Sequence, residues 1–420
     1  MIGLACAAVL ASCDSTGPEQ VQRVKLAPSA ADDQVAEIGE PVSVSVHATD
    51  SRGKSVGGVT VLWEVNSGAG TVEPTSVQTS ANGIASAELR VGSGENRVSA
   101  RAQASNSAVN FVAFGCSRCG EWTLVPVGVA ADARAWASSE TLDGKIWIVG
   151  GESWPTQSTA GVNVFDPATT TWRRVAEFAS PVSASVAAVV DRKLYIIGGV
   201  AQSQQGSASV MALDVSTGQW SAKAPLTLGR YYAAGAVLDG KIYVVGGHDW
   251  CNFDWCPNGP LSSLEIYDPT TDRWTNGPPM VFARAIASAA AVNGKLVVAA
   301  GTNGELFEFD GPISSVEMFD PDAGRWAIRA DLPVAGPVHL AVMKGTLYAF
   351  APNIERQSML TYEYDAARDA WIRLRDAPTL LYGGAFATVD DAVYAIGGYS
   401  SATNMPFVRH MSSSVYVMRR

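Results

Sequence analysis

Between residues 21 and 115 apolar and polar side chains alternate with a period of two. Val42, Val44, Val46 and Ala48 fall on one face of a strand while Ser43, Ser45 and His47 fall on the other. Val59, Val61, Trp63 and Val65 form a second such stripe. Asp50-Ser51-Arg52-Gly53 reads as the turn between them, and Asn82-Gly83 as another. Short strands at this spacing predict a β-sandwich, with Trp63 as its core aromatic.

From Cys119 onward a repeat takes over. Tryptophans stand at Trp122, Trp172, Trp220, Trp274, Trp326 and Trp371. Pairs of small residues stand at Gly150-Gly151, Gly198-Gly199, Gly246-Gly247, Ala300-Gly301 and Gly397-Gly398, with a degenerate fifth in the series at Phe350-Ala351. Both series recur roughly every fifty residues. One unit runs "DGKIYVVGG" from Asp239 to Gly247, then "LEIYDPTTDRW" from Leu264 to Trp274. The paired glycines suit close packing near a central channel, the Asp-Pro-x-Thr segment suits a turn between the third and fourth strands, and the Trp fills the wedge between neighbouring sheets.

These motifs resemble the kelch repeat over about 300 residues, and the resemblance implies a β-propeller. The first Trp has no preceding glycine pair, and the last glycine pair, ending "SSSVYVMRR", has no following Trp. The last blade is therefore expected to borrow its outer strand from residues 121–127, which closes the ring and removes two sheet edges. The stretch "VSVHATDSRGKSVGGVTVLWEV" with its continuation resembles bacterial immunoglobulin-like domains of the invasin and intimin type, which implies a spacer. The expected fold class is all-β: an immunoglobulin-like β-sandwich over 21–115, then a six-bladed kelch-type β-propeller over 116–420.

The chain start changes the picture of where this protein works. Ile2 to Ala11 is apolar but too short to span a membrane, and Leu10-Ala11-Ser12-Cys13 resembles a bacterial lipobox. Residues 1–13 are then a lipoprotein signal segment, Cys13 the lipid acceptor and 14–20 a flexible tether. The expected location is the bacterial cell envelope, with membrane attachment through the lipid alone. Four cysteines remain, Cys116, Cys119, Cys251 and Cys256; in an oxidising compartment they read as two local disulfides, because the two pairs map to opposite faces of the ring.

Composition narrows the chemistry. The chain has 420 residues, 47% hydrophobic and 17% charged, which supports large cores and excludes general disorder. A net charge of −10 without a basic run excludes a nucleic-acid partner. His248, His339 and His410 map to one face but lack ligand spacing, so no metal and no cofactor is expected. No G-x-S-x-G, HExxH or phosphate-loop motif occurs.

One face of the ring collects the candidate ligand-binding residues. Arg134, Trp136, Arg230, Tyr231, Arg284, His339 and Tyr382 open the innermost strands, and Glu152, His248 and Tyr399 follow the glycine pairs. Beside them run the aromatic loop "HDWCNFDWCPNGP" and the acidic loop "TNGELFEFDGP". Aromatics with fixed charges suit a glycan, peptide or protein partner at the mouth of a monomeric propeller. A competing reading of each Arg is structural, since a residue recurring in a repeat mostly serves the fold. The leading expectation is a binding protein. One alternative is a sugar mutarotase resembling kelch-type N-acetylneuraminate epimerases, with Arg230, Arg284 and Glu152 as its working groups; a purely structural envelope module is the other.

Overall fold

The computed structural model describes residues 24–29, 32–103, 105, 107–127, 133–153, 157–178, 180–200, 205–249, 259–304, 311–402 and 409–420, with the backbone alone at 157, 401, 402, 409 and 410. The chain folds as two compact units, Met1–Gly115 and Cys116–Arg420. Among the described residues both are built from strands and turns, without a helix.

The first unit holds two antiparallel sheets. One orders Lys25–Pro28, Pro41–Thr49, Ile84–Arg90 and Thr71–Glu73; the other orders Gln34–Glu37, Ala108–Cys116, Gly94–Ala102, Thr60–Ser67 and Ser76–Gln78. The alternating stripes meet between them. Val42, Val44, Val46 and Ala48 from one sheet share a core with Val61, Trp63, Val98 and Phe111 from the other, and Trp63 lies 5.9 Å from Phe111, ring to ring.

The second unit holds six four-stranded antiparallel sheets, numbered 1 to 6 here. Their innermost strands are Ser138–Leu142, Val186–Val190, Ala234–Leu238, Ser288–Val292, His339–Met343 and Ala385–Val389. Each packs against the next, and the first against the last, so the sheets close on themselves around a channel. Sheet 6 takes its outer strand from the start of the unit: Glu121–Leu124 pairs with Val415–Arg419 in the register Glu121↔Arg419 to Leu124↔Tyr416. The strand is shorter than the 121–127 expected, with one further bond from the Val125 N–H to the Val415 carbonyl (2.8 Å). Cys116 and Cys119 are joined by a disulfide just ahead of it, with Cα atoms 5.2 Å apart.

Repeated side chains fix sheets 3 to 6 to the sheet before them. The indole N–H groups of Trp274, Trp326 and Trp371 donate to the carbonyls of Ala224, Pro278 and Ala330, each in the segment leaving the preceding sheet (2.8, 2.8 and 3.0 Å). Trp122, in the borrowed strand of sheet 6, links to sheet 5 through a side chain, donating to Thr361 Oγ1 in its third strand at 3.2 Å. Aspartates at the third-to-fourth strand turns accept from the backbone two residues on, as Asp268 does from Thr270 and Asp320 from Asp322. The glycine pairs are required by close backbone approach. A Cβ on Gly246 would lie 2.4 Å from the Arg284 carbonyl, and Gly246 and Gly247 hold φ of 69° and 89°.

Candidate functional site

The residues grouped at the mouth by the sequence separate into two layers. Arg230 and Arg284 are 1% and 0% exposed. Arg230 donates to the carbonyl of Gly246 (3.1 Å) and to Glu265 Oε1 (2.5 Å). Arg284 donates to the carbonyls of Ala300 and Ser315 (3.0 and 2.8 Å) and to Glu317 Oε1 (2.7 Å). The two glutamates also accept from Thr227, and from Val281 and Phe282, backbone N–H groups of the loop entering the same sheet. Burial pulls both guanidinium pKa values down and the paired carboxylates oppose it. Arg134 is buried in the same way over the carbonyls of Gly150 and Gly161. The structure thus places these three arginines, expected at the ligand site, within their own sheets. They tie the entry of sheets 1, 3 and 4 to the second and third strands of the same sheet, because five donors in a fixed fork satisfy carbonyls left at the strand ends.

The aromatic layer faces the channel. Trp136, Ala184, Tyr232 and Ile286 stand two residues ahead of their inner strands, all with φ between 52° and 54°. Their N–H groups form a chain around the mouth: Trp136 to the Gly383 carbonyl, Ala184 to Trp136, Tyr232 to Ala184 and Ile286 to Tyr232 (2.7 to 3.0 Å). This left-handed backbone turns the side chains over the opening. Trp136 lies edge-on to both Tyr232 (5.1 Å) and Tyr382 (5.2 Å), bridging over Ala184 on one side. Tyr232 and Trp136 are half-buried and present the rim. Tyr231, His248, Tyr382 and Tyr399, at 2% to 6% exposure, pack ring to ring with the rim or with one another. Tyr231 and His248 bridge through their backbones, as do Tyr382 and Tyr399. Burial pushes the Tyr231 phenol up to about 12 and the His248 imidazole below its ordinary value. Glu152 pairs its backbone with Ala135 and accepts from Ser183 Oγ at 3.5 Å.

Below the rim the channel encloses about 350 Å³, continuous with about 170 Å³ at the mouth. Its wall is mostly Ala, Gly, Ser and Thr. Two side chains stand out. His339, expected at the mouth, lines both the mouth cavity and the channel below it, stacked 4.3 Å from Phe386, and burial lowers its pKa to about 4. Glu140 belongs to no motif and is absent from the residues expected at the site. It occupies the inner-strand position filled by Ala188, Ala236, Ala290, Ala341 and Ala387 in the other five sheets, and that break in an alanine column is the signal the sequence offers. Its carboxyl accepts from the Thr141 N–H at 3.2 Å. The surface it retains lines the channel, and burial raises its pKa to about 7.

Cys13, Trp154, Trp250, Cys251, Phe253, Trp255, Cys256 and residues 305–310 lie outside the described residues, as does the side chain of His410. Among the described residues there is no cluster of metal-ligating side chains, and no helix long and apolar enough to cross a membrane.

Comparison with known proteins matches these features. Residues 94–301 match the model of the KLHDC2/KLHL20/DRC7 Kelch-repeats domain, and residues 283–333 match the Kelch motif. Kelch-like protein 25 of Xenopus tropicalis is 29% identical over 150 residues, covering 34% of this chain and 24% of its own length. Human Kelch-like protein 34 is 30% identical over 142 residues, 33% of this chain and 22% of its own. The F-box/kelch-repeat protein At1g22040 of Arabidopsis thaliana is 29% identical over 134 residues, 27% of this chain and 28% of its own. The chain thus spans about a quarter of the length of the relatives it matches. Sheets closed around a channel, indole latches between them and the sequence matches agree: this is a kelch-repeat protein with a β-propeller fold.

Proposed function

We propose that the six sheets are the blades of a propeller that works as a binding module, with a protein partner at the channel mouth. The observation that carries this is the rim: Trp136 held edge-on by Tyr232 and Tyr382 over an open cavity, on backbone in a strained conformation. Large half-buried aromatics around a concavity are the residues on which binding energy concentrates. Selection from a random peptide library, beside a glycan array, tests it. Trp136→Ala is expected to weaken the selected ligand by about 2 kcal/mol, roughly thirtyfold, with the melting temperature little changed. Unchanged affinity in a folded Trp136→Ala protein would move the site elsewhere, and hits confined to the array would replace the protein partner with a glycan.

The same reading makes the first unit an immunoglobulin-like spacer and the whole a cell-envelope lipoprotein acylated at Cys13. The support is the Leu10-Ala11-Ser12-Cys13 motif and the local Cys116–Cys119 disulfide, which suits an oxidising compartment. Cys13→Ser is expected to shift the protein from the membrane fraction to the soluble one and to abolish palmitate labelling. Membrane association that survives the substitution would refute the anchor.

A further inference from the structure

Among the described residues the channel wall offers carbonyls, hydroxyls and one acid, and the hydroxyls of Ser138, Ser139 and Thr141 donate to the carbonyls of Ser185, Phe386 and Thr388. Besides the carbonyls and hydroxyls of its wall, the groups that gain or lose charge nearest neutrality there are Glu140 and His339. Glu140 is flanked in its own sheet by Trp147, its cross-strand partner. The inner strands beside it bring Ser185 to Ala187 and Ala385 to Thr388, all uncharged, and His339 at a pKa of about 4 stays neutral. No cationic side chain faces the Glu140 carboxyl among the described residues, and no ion pair involves it.

A second acceptor waits at the mouth. The chain of ring hydrogen bonds runs from Gly383 to Ile286 and stops, because the next ring position, two residues ahead of the His339 strand, is Pro337. Proline has no N–H, so the ring supplies the Ile286 carbonyl with no donor. Ile286 and Pro337 both line the mouth cavity, as do Trp136 and Tyr232.

We propose that this channel receives one ammonium-bearing side chain, a lysine of the partner protein, which enters past Trp136, Tyr232 and Tyr382 toward Glu140. This rests on the binding function above and names what that site recognises. An ammonium carries three donors and no acceptor, the complement of a wall of carbonyls, hydroxyls and a carboxylate. The faces of Trp and Tyr attract a cation on its way in. A slender four-carbon stem with a compact head fits a tunnel walled by Ala, Gly and Ser, where a planar guanidinium is broader. Charge on the rest of the molecule agrees, at −10 overall with the mouth arginines turned inward onto carbonyls and glutamates.

Titration of the protein with Nα-acetyl-lysine amide and with its uncharged norleucine counterpart tests the proposal. The lysyl probe is expected to bind and the norleucine probe to bind at least tenfold more weakly. Affinity for the lysyl probe should rise about tenfold from pH 6 to pH 8, because the carboxyl at about 7 ionises over that interval while an amine near 10.4 stays charged. Glu140→Gln should remove the pH step and lower affinity at pH 8 at least tenfold, with its melting curve as the control for folding. Equal binding of the two probes, no binding of the lysyl probe, or a flat pH profile in the unsubstituted protein would each overturn the lysine assignment. The peptide selection separates the two levels. Trp136-dependent peptides enriched in lysine support both; Trp136-dependent peptides that are acidic or purely apolar retain the binding module and remove the lysine; no Trp136-dependent peptide together with no probe binding removes both.

Discussion

Sheets 3 and 4 are built to one recipe, and sheet 1 keeps its arginine but departs from it at three other positions. Where sheets 3 and 4 carry Glu265 and Glu317 under their arginines, sheet 1 carries Asn163 under Arg134. Where they carry Ala236 and Ala290 on the inner strand, sheet 1 carries Glu140. Its ring residue is Trp136, the largest of the set. Sheet 1 thus has an amide at the register position of that acid and holds an acid where the recurring residue is inert. Recurrence marks what the ring needs in order to close, whereas a break in recurrence marks what one sheet does alone.

The sharpest way to break that distinction is through sheet 4. Arg284→Ala strands Glu317, 0% exposed, with backbone N–H donors as its remaining partners. Removing one partner of a fully buried pair destabilises by about 3–5 kcal/mol, read by urea unfolding. Glu317→Gln added to Arg284→Ala should recover part of the loss, since the amide keeps an acceptor for the Val281 and Phe282 N–H groups without leaving a buried charge. A loss under about 1 kcal/mol would mean the arginine is free to serve a ligand after all.

How much of this is legible in the sequence follows the same division. The sandwich stripes, the indole latches, the glycine approaches and the borrowed strand can be read because each obeys a period or a repeat. The arginines are legible only in part: recurrence at the start of an inner strand gives their place along the chain but not the direction of the side chain. That direction depends on Glu265 and Glu317, some thirty residues further on in the third strand. Trp136 and Tyr382 are legible as mouth residues, yet the φ of 54° that turns Trp136 over the opening has no local signature, since an indole is not a residue expected in left-handed backbone. Glu140 is readable only by aligning six inner strands and finding one acid among five alanines.

A smaller and opposite effect belongs to Glu140. In the folded protein its carboxyl is raised from 4.5 to about 7 by burial. A carboxyl with a raised folded pKa binds its proton more tightly in the native state. Stability is therefore full below about pH 4.5 and lost as pH rises toward about 7, after which the penalty is constant. The displacement corresponds to on the order of 3 kcal/mol. Replacing this acid by the residue its sister sheets use, Glu140→Ala, adds a small void and returns less than that, so the isosteric Glu140→Gln is the cleaner probe. Glu140→Gln should match the unsubstituted protein at pH 4.5 and exceed it at pH 8 in urea, the reverse of the Arg284→Ala result. A stabilising substitution at a buried position identifies a side chain kept at the expense of the fold, the behaviour of a group retained for a ligand. If Glu140→Gln gains no more over the unsubstituted protein at pH 8 than at pH 4.5, the carboxyl is already compensated, and sheet 1 loses its distinction from sheets 3 and 4.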